Sequence, residues 1–400
     1  MREITITAND AGRRLDRFLR KYLSNASLGE IYKLIRKDIK VDGKRRTQSY
    51  MLSEGEVITF YISDEVLDAL TGNSGKTSKG SGTQSGKAKR QFRVIYEDAN
   101  VLIASKPFGL LTHGDRFEKK NHLANQVKDY LIAQGEYDPA REKIFSPAPA
   151  NRLDRNTTGL VLFGKTSAAL KDLNMMIRAD LTDKYYLTIV HGIIDKPLVL
   201  KGNLTKDEER NRVQISDIRA SELHHEEDRR LTDTSDMHHR NDDHSLPVLT
   251  VIEPLEILDF GDGMTATLVQ VKLVTGRSHQ IRAHLAGIGH PVVGDTKYAH
   301  ASPGKKNSER KPASSVRSSS HKQPKAAIDQ TDAKVIDRIN EYMAQEYKLQ
   351  TQLLHAYRIS FAEEGLPDDL AYLSGKSFTA PLPPTFCKVL EGAGSKVTLQ

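Results

Sequence analysis

The segment Asn151–Lys165 (NRLDRNTTGLVLFGK) joins a polar turn to a short, continuous apolar run, Leu160–Phe163. An apolar run of this length, placed directly after a turn, predicts a buried strand. The turn holds one acid, Asp154, between Arg152 and Arg155. Taken alone, such an acid is better explained by a structural ion pair than by catalysis. The other segments of the chain must therefore decide between the two explanations.

The chain has 400 residues, a formal net charge of +7 and a pI of about 9.1. This length allows two or more domains, and the basic excess favours polyanionic partners, nucleic acid first. The single cysteine, Cys387, excludes an intramolecular disulfide and a multi-cysteine zinc site. The chain shows neither a secretory signal pattern nor the roughly 18 apolar residues of a membrane span. We therefore expect a cytoplasmic protein that has no membrane partner.

Residues 1–68 have the pattern of a small domain. Apolar residues at helical spacing predict helices over Ala11–Leu23 and Ser27–Lys37, and the second begins with a capping pair, Ser27 and Glu30. Strands are predicted over Ile39–Val41 and Glu56–Ile62. The outward faces of both helices are basic, which indicates either RNA binding or a solvated surface. The candidate RNA-binding residues of this domain are Arg13, Arg17, Arg36 and Lys37.

Two segments of this domain, AGRRLDRFL and IYKLIRKDIKVDGKR, resemble the small RNA-binding domain first recognised in a small-subunit ribosomal protein. The resemblance covers about the first 62 residues. It implies that the two helices and the turn after them lie against structured RNA.

Polar, low-complexity stretches divide the rest of the chain. Residues 69–91 are rich in Gly, Ser and Lys and predict a flexible linker. About twenty such residues span roughly 25 Å, so we expect the first domain to reach RNA at some distance from the second domain, residues 92–400. Two insertions are predicted within the second domain, at about 206–245 and 301–350. The first insertion contains five histidines, but their spacing matches no defined metal site: His224, His225, His238, His239 and His244.

The second domain alternates strand and helix patterns. Strands are predicted over Lys184–Gly192, Val248–Leu258, Ala266–Val274 and Leu353–Phe361, and helices over His122–Gln134, Ser167–Arg178 and Asp332–Leu349. No metal motif, phosphate-cradling loop or nucleotide fingerprint is present, so we expect no cofactor.

A further helix is predicted within Thr275–Asp295 (TGRSHQIRAHLAGIGHPVVGD). Ser278 is the expected N-cap, and the N-terminal turn with Arg277 suits an anion such as a phosphate. Arg282 lies one turn further along, and Gly287 is expected to end the helix.

Several motifs resemble, in the same order, those of the RluA-type pseudouridine synthases: KPFGLLTH, NRLDRNTTGL, KYYLTIVHG, TGRSHQIRAHLAGIGHPVVGD and LLHAYRISF. With the N-terminal domain, the arrangement is similar to the members that act on the ribosomal large subunit. The resemblance implies an α+β catalytic domain with a mixed, largely antiparallel sheet and a central cleft. It also implies cofactor-free and metal-free isomerisation of uridine to pseudouridine in structured RNA, most of all large-subunit rRNA. We expect the enzyme to act as a monomer.

The resemblance also implies roles for individual residues. Asp154 matches the catalytic aspartate, which either attacks C1′ as a nucleophile or removes the C2′ proton. Arg282 matches the arginine that partners this acid, and Tyr186 matches the tyrosine that stacks on the uracil. Arg152 matches a residue that fills the space left when the uridine is turned out of the RNA stack. Arg155 is left with only a structural role or a phosphate contact.

Two positions depart from the family pattern, because Asn151 stands where many members have His and Thr158 stands where Ser is commoner. Neither change removes a charged group, so we expect effects on positioning only.

Two alternatives from other classes remain open at this point. One is a non-catalytic RNA-binding or ribosome-assembly protein with the same fold, and the other is a metal-binding regulator that uses the histidine-rich insertion.

Overall fold

The structure is a computed structural model that describes residues 1–72, 90–207, 212–222, 245–300 and 332–397. The first folded unit is a three-stranded sheet in the order β1-β3-β2, covered by helices. Its elements are β1 (Arg2–Thr5), α1 (Leu15–Tyr22), α2 (Leu28–Lys37), β2 (Ile39–Val41), β3 (Val57–Phe60) and α3 (Asp64–Thr71). Most of the predicted linker, residues 73–89, and all five histidines of the first insertion lie outside the described residues.

Local sequence signals define α2 but not α1. The predicted capping box of α2 is confirmed, because the hydroxyl of Ser27 accepts from the backbone of Glu30 and the Glu30 carboxylate accepts from the backbone of Ser27. Helix α1 begins at Leu15 and not at Ala11. Gly12 adopts a left-handed φ of 69°, and its N–H donates to Leu52. Pairing with a distant segment thus replaces the first predicted helical turn.

The first unit extends beyond its predicted end at residue 68, because α3 continues to Thr71 and buries Leu67 in the same core. This unit also packs against the second one. The buried carboxylate of Asp10 accepts from the backbone N–H groups of Lys143 and Phe145, each at 3.1 Å. Ile144, between these two donors, inserts into the core of the first unit. The first unit is therefore docked on the second in this structure, a contact that the predicted flexible linker gave no reason to expect.

Replacing Asp10 with Ala should loosen this contact. The change leaves the backbone N–H groups of Lys143 and Phe145 without their acceptor, and for a buried donor such as that of Phe145 the loss costs about 1–3 kcal/mol. We expect amide hydrogen exchange over residues 138–147 to become roughly tenfold faster or more. The exposed Asp129, on another surface, provides the control Asp129→Ala. Unchanged exchange over this segment in Asp10→Ala would show that the docking does not depend on Asp10.

The second unit is built on an eleven-stranded sheet in the order β10-β9-β11-β12-β8-β13-β7-β5-β4, with β14 added to β13 and β6 added to β7. All pairs are antiparallel except β13 with β7, which confirms the predicted α+β class with a mixed, largely antiparallel sheet. The strands are β4 (Arg93–Glu97), β5 (Val101–Lys106), β6 (Ala148–Pro149), β7 (Thr158–Gly164), β8 (Thr182–His191), β9 (Leu198–Asp207), β10 (Arg212–Glu222), β11 (Leu246–Asp259), β12 (Thr265–Leu273), β13 (Leu354–Phe361) and β14 (Ser377–Thr379). The helices are α4 (Leu123–Gln134), α5 (Ser167–Arg178), α6 (Gln280–Gly287), α7 (Ala333–Glu346), a 3₁₀ turn (Asp368–Leu373) and α8 (Pro384–Gly392).

Both predicted insertions contain regular structure. Part of the first one, Arg212–Glu222, is the edge strand β10, which pairs with β9 and buries Val213 and Ile215. The sequence prediction of a solvated insertion is wrong for these residues, since two apolar side chains among many polar ones sufficed to pack the strand. In the second insertion the predicted helix is present as α7, which buries Ile339 and Met343.

The parallel contact between β7 and β13 determines where the turn before β7 lies. Gly159 has a left-handed φ of 109°, and a Cβ atom there would meet the backbone oxygen of Ala356 at 2.1 Å. Only glycine fits so close an approach of two strands. Thr158, beside it, forms a 2.7 Å hydrogen bond with the Nδ1 atom of His355. The end of β7 is therefore fixed, and with it the polar turn that carries Asp154.

Candidate active site

The polar turn before β7 forms one wall of a cavity of about 210 Å³. Strand β8 and the start of α6 provide the other walls. Five of the residues singled out from the sequence line this cavity: Arg152, Asp154, Tyr186, Arg277 and Arg282. The remaining five do not: Arg155 lines an adjoining cleft, and Arg13, Arg17, Arg36 and Lys37 belong to the first unit.

Lys106, at the end of β5, holds the polar turn before β7 in place through hydrogen bonds. Its side chain is buried, and its Nζ atom donates to the carbonyl of Leu110 at 2.7 Å and to that of Arg155 at 2.9 Å. Burial lowers the pKa of Lys106 to about 7, and the charge of Asp154 opposes this lowering. The KPFGLLTH motif thus anchors the turn that carries the acid.

The stability contributed by Lys106 should depend on pH. Between the pKa of about 7 in the folded protein and that of about 10.4 in an unfolded chain, the unfolded state binds more protons at this residue. Stability then rises with pH, by up to about 1.4 kcal/mol per unit. The free energy of unfolding of the wild type should therefore increase, relative to that of Lys106→Met, as the pH is raised from 7 to 10. Urea denaturation at several pH values tests this, and a difference that stays constant would contradict it.

Arg282 brings its charge to Asp154 while a second acid holds it in place. Its Nε and Nη2 atoms donate to the two carboxylate oxygens of Asp295 at 2.6 and 2.8 Å, and its Nη1 atom lies 3.5 Å from Oδ2 of Asp154. Burial opposes the charge of Arg282, but the hydrogen bonds and charge of Asp295 raise its pKa overall. Asp295 was not identified from the sequence. It is fully buried at the end of the same motif, directly behind an apolar run.

Tyr186 enters the cavity from β8, where it pairs with Val271 of β12 and Ala356 of β13. Its side chain is buried, and burial, followed by the charge of Asp154, raises its pKa, so the phenol is neutral near pH 7. Tyr185 points to the opposite face of the strand, where Arg358 lies 4.2 Å from the centre of its ring. Of these two tyrosines, Tyr186 is therefore the one that lines the cavity with Asp154.

The arginines at the mouth of the cavity differ in their contacts. Arg152 and Arg277 are exposed. The Nε atom of Arg155 donates to the carbonyl of Gly109, which gives this residue a structural contact with the preceding loop. Arg13, in the first unit, donates to the hydroxyl of Ser167 at 3.0 Å and so belongs to the contact between the two units.

Helix α6 begins later than predicted. Ser278 does not cap it, because His279 occupies the N-cap position with a left-handed φ of 56°. The backbone N–H of Arg277 donates to the Oε1 atom of Gln280, so the turn expected to bind an anion is closed by a side chain of the helix. His279 instead points into the cavity, where its Nε2 atom lies 3.7 Å from Oδ2 of Asp154. The sequence motifs had assigned this histidine no role in the cavity.

Among the residues that the structure describes, no group of three or more His, Cys, Asp or Glu side chains is arranged to hold a metal ion. Among the same residues, no helix is long and apolar enough to cross a membrane.

Comparison with known proteins identifies the family. A family model described as RNA pseudouridylate synthase matches residues 100–287, a range that includes Asp154, Tyr186 and Arg282. Residues 100–287 belong to the RNA pseudouridine synthase family. The chain is thus an isomerase, as its resemblance to the RluA-type enzymes predicted. Asp154, Tyr186 and Arg282 therefore line a cavity of a pseudouridine synthase.

Relatives of this pseudouridine synthase include ribosomal large subunit pseudouridine synthase C of Vibrio vulnificus, which is 29% identical over 74% of this chain and 79% of its own length. Ribosomal large subunit pseudouridine synthase D of Nitrosomonas europaea is 26% identical over 93% of this chain and 86% of its own length. A solved structure of human RNA pseudouridylate synthase domain containing 4 superposes with a TM-score of 0.48 at 15% identity, covering 75% of this chain and 92% of the human one. Similarity this distant adds nothing to the assignment.

Proposed function

We propose that this pseudouridine synthase isomerises specific uridines of large-subunit ribosomal RNA, with Asp154 as the group that attacks or deprotonates the ribose. One observation carries the assignment of Asp154. It is the carboxylate that faces the cavity beside Tyr186, with the Nη1 atom of Arg282 at 3.5 Å. Both reaction routes use a carboxylate at this point, and Arg282 supplies a positive charge next to it.

The reaction rearranges two bonds to the same ribose carbon. The bond between N1 of the uracil and C1′ breaks, the base turns, and a bond between C5 and C1′ forms. The proton on C5 is lost to solvent and N1 gains one, so substrate and product have the same composition. Asp154 acts either by attacking C1′ or by removing the C2′ proton.

In this proposal Tyr186 contacts the uracil inside the cavity, and the arginines at the mouth contact the RNA around it. The neutral ring of Tyr186 stacks on the uracil within the cavity, and its hydroxyl is available to accept or pass on the C5 proton. A uridine in folded RNA must leave its stack to enter. Arg152 and Arg277 are exposed at the mouth, which suits Arg152 for occupying the vacated space and Arg277 for contacting phosphate.

Two features support ribosomal RNA as the substrate. Relatives from Vibrio vulnificus and Nitrosomonas europaea are named as ribosomal large subunit synthases. The first unit adds a basic surface, since Arg17, Arg36 and Lys37 are all exposed and suit the phosphates of structured RNA. We further propose that the enzyme acts in the cytoplasm as a monomer.

Release of tritium tests this function directly. Large-subunit rRNA carrying tritium at C5 of uridine is incubated with the protein, alongside small-subunit rRNA and tRNA labelled in the same way. We expect release from the large-subunit rRNA, since the C5 proton is lost whichever route Asp154 takes. Release from tRNA alone would contradict the proposed substrate, and RNA binding without release from any of the three would favour a non-catalytic role.

A further inference from the structure

We propose that His279 is a positioning residue for Asp154, set in one tautomer by Tyr298, and that it directs the free oxygen of the carboxylate towards the ribose. This inference rests on the proposed role of Asp154. Because His279 acts on the carboxylate and not on the substrate, its effect should fall on the chemical step and leave RNA affinity unchanged.

The backbone of His279 shows how the protein places this side chain. A left-handed φ of 56° is uncommon for a residue other than glycine and persists where surrounding contacts hold it. Two contacts do so here. The Nδ1 atom of His279 forms a 3.0 Å hydrogen bond with the hydroxyl of Tyr298, and the Nε2 atom lies 3.7 Å from Oδ2 of Asp154. The ring thus bridges a buried phenol and the carboxylate.

The hydrogen bonds of Tyr298 select the tautomer of His279. The hydroxyl oxygen of Tyr298 accepts from the backbone N–H of Val213 at 3.0 Å. Tyr298 is buried, so its own proton needs an acceptor within the protein, and among the described residues the Nδ1 atom of His279 lies at hydrogen-bond distance. A neutral imidazole that accepts at Nδ1 carries its proton on Nε2. Burial lowers the pKa of His279, which favours this neutral form.

Both groups that approach Asp154 meet the same oxygen. The Nη1 atom of Arg282 lies 3.5 Å and the Nε2 atom of His279 lies 3.7 Å from Oδ2. The second separation exceeds a hydrogen bond in the free protein, and such catalytic contacts commonly shorten when substrate binds. Because both groups approach Oδ2, Oδ1 is the oxygen left to attack C1′ or to take the C2′ proton.

Asp295 and strand β10 connect the two donors into one assembly. Asp295 holds the guanidinium of Arg282, and its Oδ1 atom also accepts from the backbone N–H of Tyr298 at 3.1 Å. Val213, which donates to Tyr298, lies on β10, the strand that the sequence had indicated as a solvated insertion. The edge of the sheet thereby contributes to the orientation of the acid.

Three substitutions of His279 separate its possible roles. Gln places a donor where Nε2 lies, Asn adopts the left-handed backbone most easily but is too short to reach Asp154, and Leu offers neither advantage. In single-turnover tritium release, we expect the rate to fall about 10- to 100-fold for His279→Leu and His279→Asn, as for other orienting groups, and His279→Gln to keep most of it. RNA affinity should be unchanged in all three. Wild-type rates in His279→Leu, or His279→Asn more active than His279→Gln, would overturn the proposal.

A spectroscopic measurement distinguishes failure of this inference from failure of the proposed function. The ¹⁵N chemical shifts of His279, in protein labelled at histidine, report which ring nitrogen carries the proton, whether or not RNA is modified. We expect the Nε2–H tautomer in the wild type and its loss in Tyr298→Phe, with His279→Gln serving to assign the signal. An Nδ1–H tautomer in the wild type would overturn the inference even if tritium release is normal. The expected tautomer in a protein that releases no tritium would instead count against the proposed function.

Discussion

Replacing Asp154 with Asn is expected to abolish pseudouridine formation, with tritium release at least about 10³-fold slower than in the wild type. The amide retains the size of the side chain but cannot act as the nucleophile or base. The loss should therefore affect the chemical step. RNA affinity, measured by filter binding, should stay within about threefold of the wild type, because phosphate contacts dominate affinity.

The matched control for this substitution is Asp129→Asn, which changes an exposed acid on α4 in the same way. This variant should release tritium at the wild-type rate. If Asp154→Asn also keeps the wild-type rate, the carboxylate is not the reacting group and the assignment of the cavity fails. If Asp154→Asn loses RNA binding as well, the residue acts in recognition and not in chemistry.

Replacing Arg282 with Met should have the largest effect on stability. The fully buried carboxylate of Asp295 would lose both of its guanidinium hydrogen bonds. Leaving one partner of a buried ion pair alone costs about 3–5 kcal/mol. We expect the free energy of unfolding, measured by urea denaturation, to fall by this amount. Tritium release should also fall, because the cation beside Asp154 is gone.

A double variant separates these two effects of Arg282. In Arg282→Met with Asp295→Asn, no buried charge is left unpaired, and the Asn oxygen still accepts from the backbone N–H of Tyr298. Most of the lost stability should return, while tritium release should remain low. Arg178→Met, at an exposed arginine near the end of α5, provides the control and should change neither property. Recovery of tritium release in the double variant would show that Arg282 contributes only to folding.

Elements with local sequence signals were predicted most accurately. Helix α5 has the predicted bounds, Ser167–Arg178, and the capping pair of α2 forms as expected. Elements that depend on distant partners were predicted less well. The start of α1 is displaced because Gly12 pairs with Leu52, and β10 is stabilised by β9 and α6 despite its polar composition. Contacts of this kind leave little trace in a local pattern.

The same distinction applies to the cavity. Asp154, Tyr186 and Arg282 were found through linked motifs, and the structure brings all three together. The groups that hold them were not found. Lys106 supports the turn through carbonyl groups, which no sequence pattern reveals. Asp295 carried a usable sequence signal, because it is a lone acid that follows an apolar run in the same motif as Arg282. An acid in such a position is expected to be buried, and a buried acid needs a cation such as Arg282 as its partner.

The most direct test of the central claim maps pseudouridines in the ribosomal RNA of cells that lack this protein. Complementation then uses either the wild type or Asp154→Asn, produced at equal levels. We predict that at least one pseudouridine of the large-subunit rRNA disappears on deletion, returns with the wild type and stays absent with Asp154→Asn. An unchanged set of large-subunit pseudouridines, or restoration by Asp154→Asn, would contradict the claim that Asp154 isomerises uridine in this RNA.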